Sequence, residues 1–442
     1  MNSTTQSFTL AGIDAVPVTI TAKVGSGSGS FTGLPALSAR KYVRRIRSAV
    51  QAAGFTWPDD VQVHAEPAGR AGSTAGLDLA IAVAILLASG QVNADLAEFS
   101  YLGGLDVSGR VCPVRGVMAS VARCPRIMVS SHSVQSATLA GAEEVIGLHN
   151  LSDLHRDLVY LQRSSSSSFT PETRTLDMAD LSEWFLPAKR ALMAAMLLGE
   201  GLALTGSSIA MTKLAVRVPH VMPALTHDEA VLLTRIQDAA GLRGEDSGLS
   251  MRPFRAPHYT ISTAGMTGGR SSVGEICLAH LGVLFLNDMP EFRDDVLDAV
   301  WAVQQSSRMS CSSVYPTQFM LITASSLCPC GFLGRPTREG QCNCSPAAVA
   351  VYRQRARRLP STLSVNLSYD GQPGFDRGLS SEDMRAMLEQ ARAVLASRGE
   401  TWRRWEASAL VSSALAALDG TSTVRPEHQV EASTLLSAVE PD

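Results

Sequence analysis

Val16, Val18, Ile20, Ala22 and Val24 alternate with Pro17, Thr19, Thr21 and Lys23. A period of two puts the apolar set on one face, so the stretch predicts a half-buried strand with a proline near its start. A Gly-Ser repeat over residues 25–30 follows as a flexible connection. From Ser38 the period lengthens: Val43, Ile46 and Val50 share one helix face, with Lys41, Arg44, Arg45 and Arg47 around it. Residues 61–65 alternate again, and a turn rich in Gly and Ala leads to an apolar helix over 77–88. Two short strands around Ser108-Gly109, a helix, a strand over 126–129 and a further αβ unit complete one α+β domain within residues 1–162.

Five serines at 164–168, then Thr170 and Pro171, mark a linker over 163–178. Beyond it a helix over 187–198 precedes a strand over 201–205, a turn and another helix. Val283-Leu284-Phe285-Leu286 and Met320-Leu321-Ile322-Thr323 are unbroken apolar runs, the pattern of strands buried on both faces. Strands of that kind alternating with helices predict a parallel α/β module over 179–370. Helices over 381–397 and 405–418 and a last one from Arg425, with Pro426 in its first turn, predict a small helical domain over 371–442.

With 442 residues the chain is too long for one core, and 45% apolar against 18% charged residues allows sizeable ones. A net charge of −3 gives no general case for nucleic-acid binding. The longest apolar run, 79–88, is about half a membrane span, and the start lacks a basic signal region, so a cytoplasmic protein without a membrane partner is expected. Eight cysteines then read as thiols or metal ligands. Cys328 and Cys330, then Cys342 and Cys344, bracket one polar loop, a set that suits tetrahedral Zn²⁺ although the common spacing is CxxC. Free or redox-paired thiols are the other reading. Cys112, Cys124, Cys277 and Cys311 are isolated and read as buried apolar residues.

Gly33-Leu34-Pro35, Arg47-Ser48-Ala49-Val50, Gly54-Phe55, Trp57-Pro58 and Leu77-Asp78-Leu79 resemble the N-terminal part of the YifB/ComM group of magnesium-chelatase-like AAA+ proteins. Arg252-Pro253-Phe254-Arg255-Ala256-Pro257-His258, Gly274-Glu275-Ile276, Leu278-Ala279-His280, residues 282–286 and Cys328-Pro329-Cys330-Gly331 resemble its central segment. The resemblance implies a Lon-protease-like (ribosomal S5 domain 2-like) α+β domain, an AAA+ P-loop-type α/β module and a C-terminal helical lid. It also implies ATP and Mg²⁺ as ligands and a homo-oligomeric ring. In the competence branch it implies ATP-driven branch migration of DNA.

A phosphate-binding loop needs glycines for close backbone approach, a lysine for the β/γ oxygens and a hydroxyl for Mg²⁺. Matched through Arg217-Val218-Pro219, the segment after Gly206-Ser207 puts Met211 at the lysine and Thr212 at the hydroxyl, with one loop residue missing; Lys213 falls about 100° around the helix. The family's Asp-Glu pair is Asn287-Asp288, a neutral amide beside a shorter acid. Its sensor asparagine falls at Ser326, its arginine finger at Leu363 and, loosely, a C-terminal sensor arginine at Ser413. These losses make a pseudo-ATPase the expected reading, with no catalytic residue, acting through DNA or protein contacts. An active DNA-remodelling ATPase and a Lon-like peptidase are the alternatives. For the peptidase the hydroxyl is Thr74, beside Ser73, but the base position is Met118, and a hydroxyl without its base is a weak nucleophile.

Two further segments carry charge. Arg252-Pro253-Phe254-Arg255-Ala256-Pro257-His258-Tyr259 cannot be helical; it reads as a DNA contact, a subunit contact or plain packing. Arg353, Arg355, Arg357 and Arg358 read as a ring-pore lining or a solvated helix face. Trp402 and Trp405 read as packing for the helical domain.

Overall fold

The computed structural model describes residues 2–25, 29–34, 36–67, 75–124, 126–155, 162–163, 176–242, 251–269, 272–306, 308–310, 314–334, 340–358, 363–367, 378–397 and 406–437. Ser73, Thr74, the serine run, Cys311 and the Trp402–Trp405 segment lie outside them. Among the described residues no helix is long and apolar enough to cross a membrane.

The chain opens with a long antiparallel hairpin, β1 (Asn2–Ala11) and β2 (Asp14–Val24). There follow β3 (Ser30–Thr32), α1 (Ala36–Ala52), β4 (Val61–Glu66), α2 (Asp78–Ala88), β5 (Ser100–Leu102), β6 (Gly104–Leu105) and β7 (Val111–Cys112). Then come α3 (Val117–Val121), β8 (Arg126–Ser130), α4 (Val134–Leu139), β9 (Glu144–Leu148) and β10 (Gln162–Arg163). Eight of these strands make one mixed sheet in the order β10-β9-β8-β5-β1-β2-β4-β3, and β6 and β7 pair separately around Ser108-Gly109. Helix α2 has ten of its eleven residues buried, which is why its sequence is apolar all round. Asp78 at its start is 1% exposed; it meets Arg45 of α1 at 2.6 Å and accepts from the Leu105 N–H at 3.2 Å.

A second run supplies α5 (Leu186–Leu198), β11 (Leu202–Gly206), α6 (Ser208–Ala215), α7 (Val218–Val221), α8 (His227–Ala240), β12 (Phe254–Arg255), α9 (Thr263–Thr267), α10 (Glu275–Leu278) and β13 (Val283–Leu286). It continues with α11 (Asp294–Ser306), β14 (Arg308–Ser310), β15 (Val314–Pro316), β16 (Met320–Ser325), α12 (Pro346–Ala356) and β17 (Leu363–Leu367). Five strands form a wholly parallel sheet in the order β12-β13-β16-β11-β17. All four residues of β13 are buried: Val283 and Phe285 join the core with α5, Leu284 and Leu286 the core with α8 and α11. Gly282, just before it, is where the chain crosses Pro253, whose carbonyl a Cβ would strike.

The chain ends in α13 (Ser381–Ala396), α14 (Ala407–Leu418) and α15 (Pro426–Ser437). Their apolar faces share one core with α5 and β17: Leu388, Val411 and Leu415 cluster with Leu192 and Leu363. Arg190 of α5 reaches both Asp419 and Glu431 with bonds of 2.7–3.2 Å. Lys189, 1% exposed, donates to the carbonyls of Met178, Leu181 and Leu379 at 2.8–3.1 Å, so all three ammonium protons are used.

The two sheets are joined through α8. Ile13, in the β1–β2 turn, packs with Leu233 and Ile236; Arg235 donates to the Ile13 carbonyl and pairs with Asp14. Asp238 accepts from the Met118 N–H at 3.0 Å. Met118 is therefore a core residue at the start of α3, 2% exposed.

Candidate functional site: the carboxyl edge of the parallel sheet

Because β13, β16 and β11 are adjacent and parallel, the residues that follow them meet along one edge, where open α/β sheets bind ligands. The structure brings together there Asn287 and Asp288 after β13, Ser326 after β16, and Gly206 and Ser207 at the end of β11. Asp288 takes a left-handed backbone conformation, φ 53°, and opens the short turn that ends the strand. Its carboxyl is raised by burial, against the pull of His258. Asn287 donates to the Asp288 carboxylate at 3.3 Å, while its own Oδ1 is buried without a hydrogen-bond partner.

A residue that sequence reasoning missed covers this edge. Tyr352, 7% exposed, comes from α12 and lies beside Ser326, Asp288 and Glu291. Burial, with the two acids nearby, pushes its hydroxyl up to about 12 against hydrogen bonding from Ser326. The one available signal was that Tyr352 is the sole aromatic in an otherwise basic and alanine-rich helix.

The junction from β11 to α6 decides what the edge can hold. The strand ends at Gly206 and the helix begins at Ser208, so Ser207 alone separates them. A phosphate cradle needs several consecutive backbone N–H groups turned toward one anion. Here the Ser207 N–H is spent on the Leu367 carbonyl at 3.1 Å, and the helical ladder starts at once with the Met211 N–H on the Ser207 carbonyl at 3.0 Å. Met211 is 0% exposed and sits in the core with Leu204, Leu214 and Ile322. Thr212 is half-buried, Lys213 is exposed, and Ile209 stands 70% exposed in the first helical turn. Leu363 is elsewhere: it opens β17 opposite Leu202, at the amino edge of the sheet, and is 0% exposed. Ser413 is likewise inside, with its hydroxyl unpartnered. These residues do not fit a magnesium nucleotide: the cradle is too short, the lysine position faces the core and the metal position is an amide.

The four cysteines do converge. Sγ of Cys328, Cys330, Cys342 and Cys344 all lie within 4.8 Å of one another, with 3.4 Å from Cys328 to Cys330, 3.6 Å from Cys330 to Cys342 and 3.7 Å from Cys342 to Cys328. Four sulfurs about 2.3 Å from a central Zn²⁺ would be about 3.8 Å apart, so the spacing matches a tetrahedral thiolate cage. The Leu333 N–H points at Cys328 Sγ, 3.3 Å away, and Cys330 is lowered to about 6, first by the Phe332 backbone N–H. The cluster can therefore hold a metal such as zinc. Of the isolated cysteines that are described, Cys277 is buried as expected, while Cys112 and Cys124 are only half-buried.

The basic segments are largely committed within the chain. Arg252 holds the carbonyls of Pro223 and Leu281, and Arg255 makes a bidentate pair with Glu275 at 2.6 and 2.7 Å. Plain packing thus accounts for both, and of the segment's charged and aromatic residues His258 and Tyr259, with ring centroids 4.1 Å apart, are left exposed. Arg355 on α12 and Arg358 just beyond its end pair with Asp294 and Asp298 at the start of α11.

Comparison with known proteins agrees with this architecture. Residues 177–363 match the family described as magnesium chelatase, subunit ChlI, and residues 18–133 match a second described as subunit ChlI of Mg-chelatase. An uncharacterized protein of Mycobacterium tuberculosis is 30% identical over 425 residues, 90% of this chain and 83% of that one. YifB of Salmonella typhimurium is 30% identical over 364 residues, 78% of this chain and 71% of its own. Competence protein ComM of Haemophilus influenzae is 28% identical over 420 residues, covering 88% and 81%. With similarity at this level over most of both chains, and a parallel sheet in the matched region, the chain belongs to the YifB/ComM family of magnesium-chelatase-like proteins.

Proposed function

We propose that this protein is a pseudo-ATPase of its family, a magnesium-chelatase-like AAA+ module that no longer turns over ATP and works through contacts with DNA or protein. The observation that carries the reading is the single residue between β11 and α6, with Met211 turned into the core. Asn287 at the metal position and an apolar Leu363 at the finger position act in the same direction; an arginine finger alone is worth about 10³ to 10⁵ in rate. The accompanying organisation is a Lon-protease-like domain over 1–162, a linker over 163–178, the AAA+ module over 179–370 and a helical lid over 371–442, assembled as a homo-oligomeric ring. A structural Zn²⁺ on Cys328, Cys330, Cys342 and Cys344 belongs to the same reading, supported by the sulfur spacing.

The test is magnesium-dependent phosphate release by the purified full chain, with and without single-stranded and branched DNA. Release below about one turnover per minute is expected in every case. Faster turnover that Asp288→Ala abolishes would overturn the proposal in favour of an active DNA-remodelling ATPase.

A further inference from the structure

The thiolate cluster joins two parts of the chain that the sheet edge depends on. Cys328 and Cys330 follow directly on Ser326 at the end of β16, and Cys342 and Cys344 run straight into the cap of α12, where Ser345 accepts from the Ala348 N–H at 3.2 Å. Apart from Arg355, which reaches the Phe292 carbonyl and Asp294 near its end, helix α12 is held by few contacts: Tyr352 is its one buried residue, and most of the others are exposed, including Val351 at 59%. An 11-residue helix with so small an apolar footprint is marginal unless its ends are fixed from outside.

A metal held by four thiolates needs charge compensation, since a divalent ion leaves the centre with two excess negative charges. A groove of about 430 Å³ beside the cluster is lined by Cys342, Cys344, Leu333 and Arg353. Among the described residues Arg353 has no carboxylate partner, unlike Arg355 on the same helix and Arg358 just past its end. Arg353 thus lines the same groove as two of the four cysteines, and the Leu333 N–H reaches the sulfur of a third, Cys328.

Building on the zinc reading above, we infer that the ion is a clasp whose job is to seat α12, and with it Tyr352, over Ser326 and Asp288, and that Arg353 is a positioning residue that stabilises the charged centre. Removing the ion frees the β16 end from the start of α12, and Tyr352 loses the anchor that closes the sheet edge.

Metal analysis of the purified full chain is expected to give one zinc per chain, lost in Cys342→Ser. Amide hydrogen exchange over 346–356 should then accelerate at least tenfold, both in that variant and in wild-type protein stripped by a chelator, while exchange in β13 stays unchanged. Arg353→Gln should keep full zinc content but release it to a chromogenic chelator about tenfold faster, and Arg357→Gln should match wild type. If no metal is found, the zinc reading and this inference fall together. If zinc is present and its removal leaves exchange over 346–356 unaltered, the clasp is refuted while the zinc reading survives. Equal release from the Arg353→Gln and wild-type proteins would overturn the role of Arg353.

Discussion

The most direct attempt to restore an ATPase would replace Met211 with lysine and Asn287 with aspartate, the residues the family resemblance implies. The structure argues that this fails at Met211. The side chain is 0% exposed among Leu204, Leu214 and Ile322, and nothing anionic lies within that cluster. A lysine there loses the apolar transfer of the methionine, about 1.5–3 kcal/mol. It must also either bury an ammonium or give up its proton; pKa depressions of roughly 3–5 units for buried lysines correspond to about 4–7 kcal/mol. Against a total stability of about 5–15 kcal/mol the variant is expected to be severely destabilised or unfolded. Urea denaturation followed by circular dichroism should show the midpoint of Met211→Lys falling far below wild type, with Lys213→Met, at an exposed position, unchanged. Phosphate release should stay absent in Met211→Lys combined with Asn287→Asp. A double variant of wild-type stability that hydrolyses ATP would show that position 211 faces a phosphate after all.

Two buried groups give opposite pH responses. Asp78 is raised to about 6 by burial, so the native chain keeps a proton that the unfolded chain has released; its contribution is greatest below about pH 4 and declines by about 3 kcal/mol as pH rises through 6, a decline that Asp78→Asn should abolish in urea midpoints at pH 4.5 and 7. His280, lowered to about 4 by burial, accepts from the Gln318 N–H as a neutral ring; its contribution is complete above about pH 6.5 and lost by about 3 kcal/mol as pH falls through 4, and His280→Gln should flatten that loss in the same titration. Asp238→Ala leaves the buried Met118 N–H without its acceptor, costs about 1–3 kcal/mol and should split one calorimetric transition into two as the sheets uncouple; a single unsplit transition would show that the Asp238 contact does not join them.

How far the fold was legible depended on which chemistry faced inward. Strand β13 was plain because both of its faces are apolar, and the three closing helices because their apolar periods and the Pro426 start are unambiguous. Strand β1 was invisible for the opposite reason. Its inward face carries Thr5, Ser7 and Thr9, all at most 5% exposed, and the first two satisfy their hydroxyls on the Ala80 and Tyr101 carbonyls. A strand that buries hydroxyls against neighbouring backbone carries no hydrophobic alternation to read. At the site, the positions of Asn287, Asp288 and Ser326 on one edge followed from parallel strands, whereas Tyr352 arrives from a helix more than twenty residues downstream, which no local pattern reveals. The cysteines were legible because four soft ligands flanking one loop are informative at any spacing; the structure adds that their sulfurs meet.

A junction shortened relative to the family, as the proposed function holds, would also tie the residues at the edge together. On the proposed reading, removing one residue between strand and helix turns every later position of α6 by about 100° relative to β11. The position that would have presented an ammonium to a phosphate then faces the core, where only an apolar side chain such as Met211 is tolerated, and Lys213 is left in solvent. Without a bound phosphate no divalent ion is needed at the end of β13. A second carboxylate beside Asp288, whose carboxyl is already raised by burial, would only add repulsion. An amide at 287 relieves that repulsion and donates to Asp288 instead. On that reading Met211 and Asn287 follow from one change in backbone geometry, and reversing the side chains without lengthening the loop is expected to restore neither the cradle nor the charge.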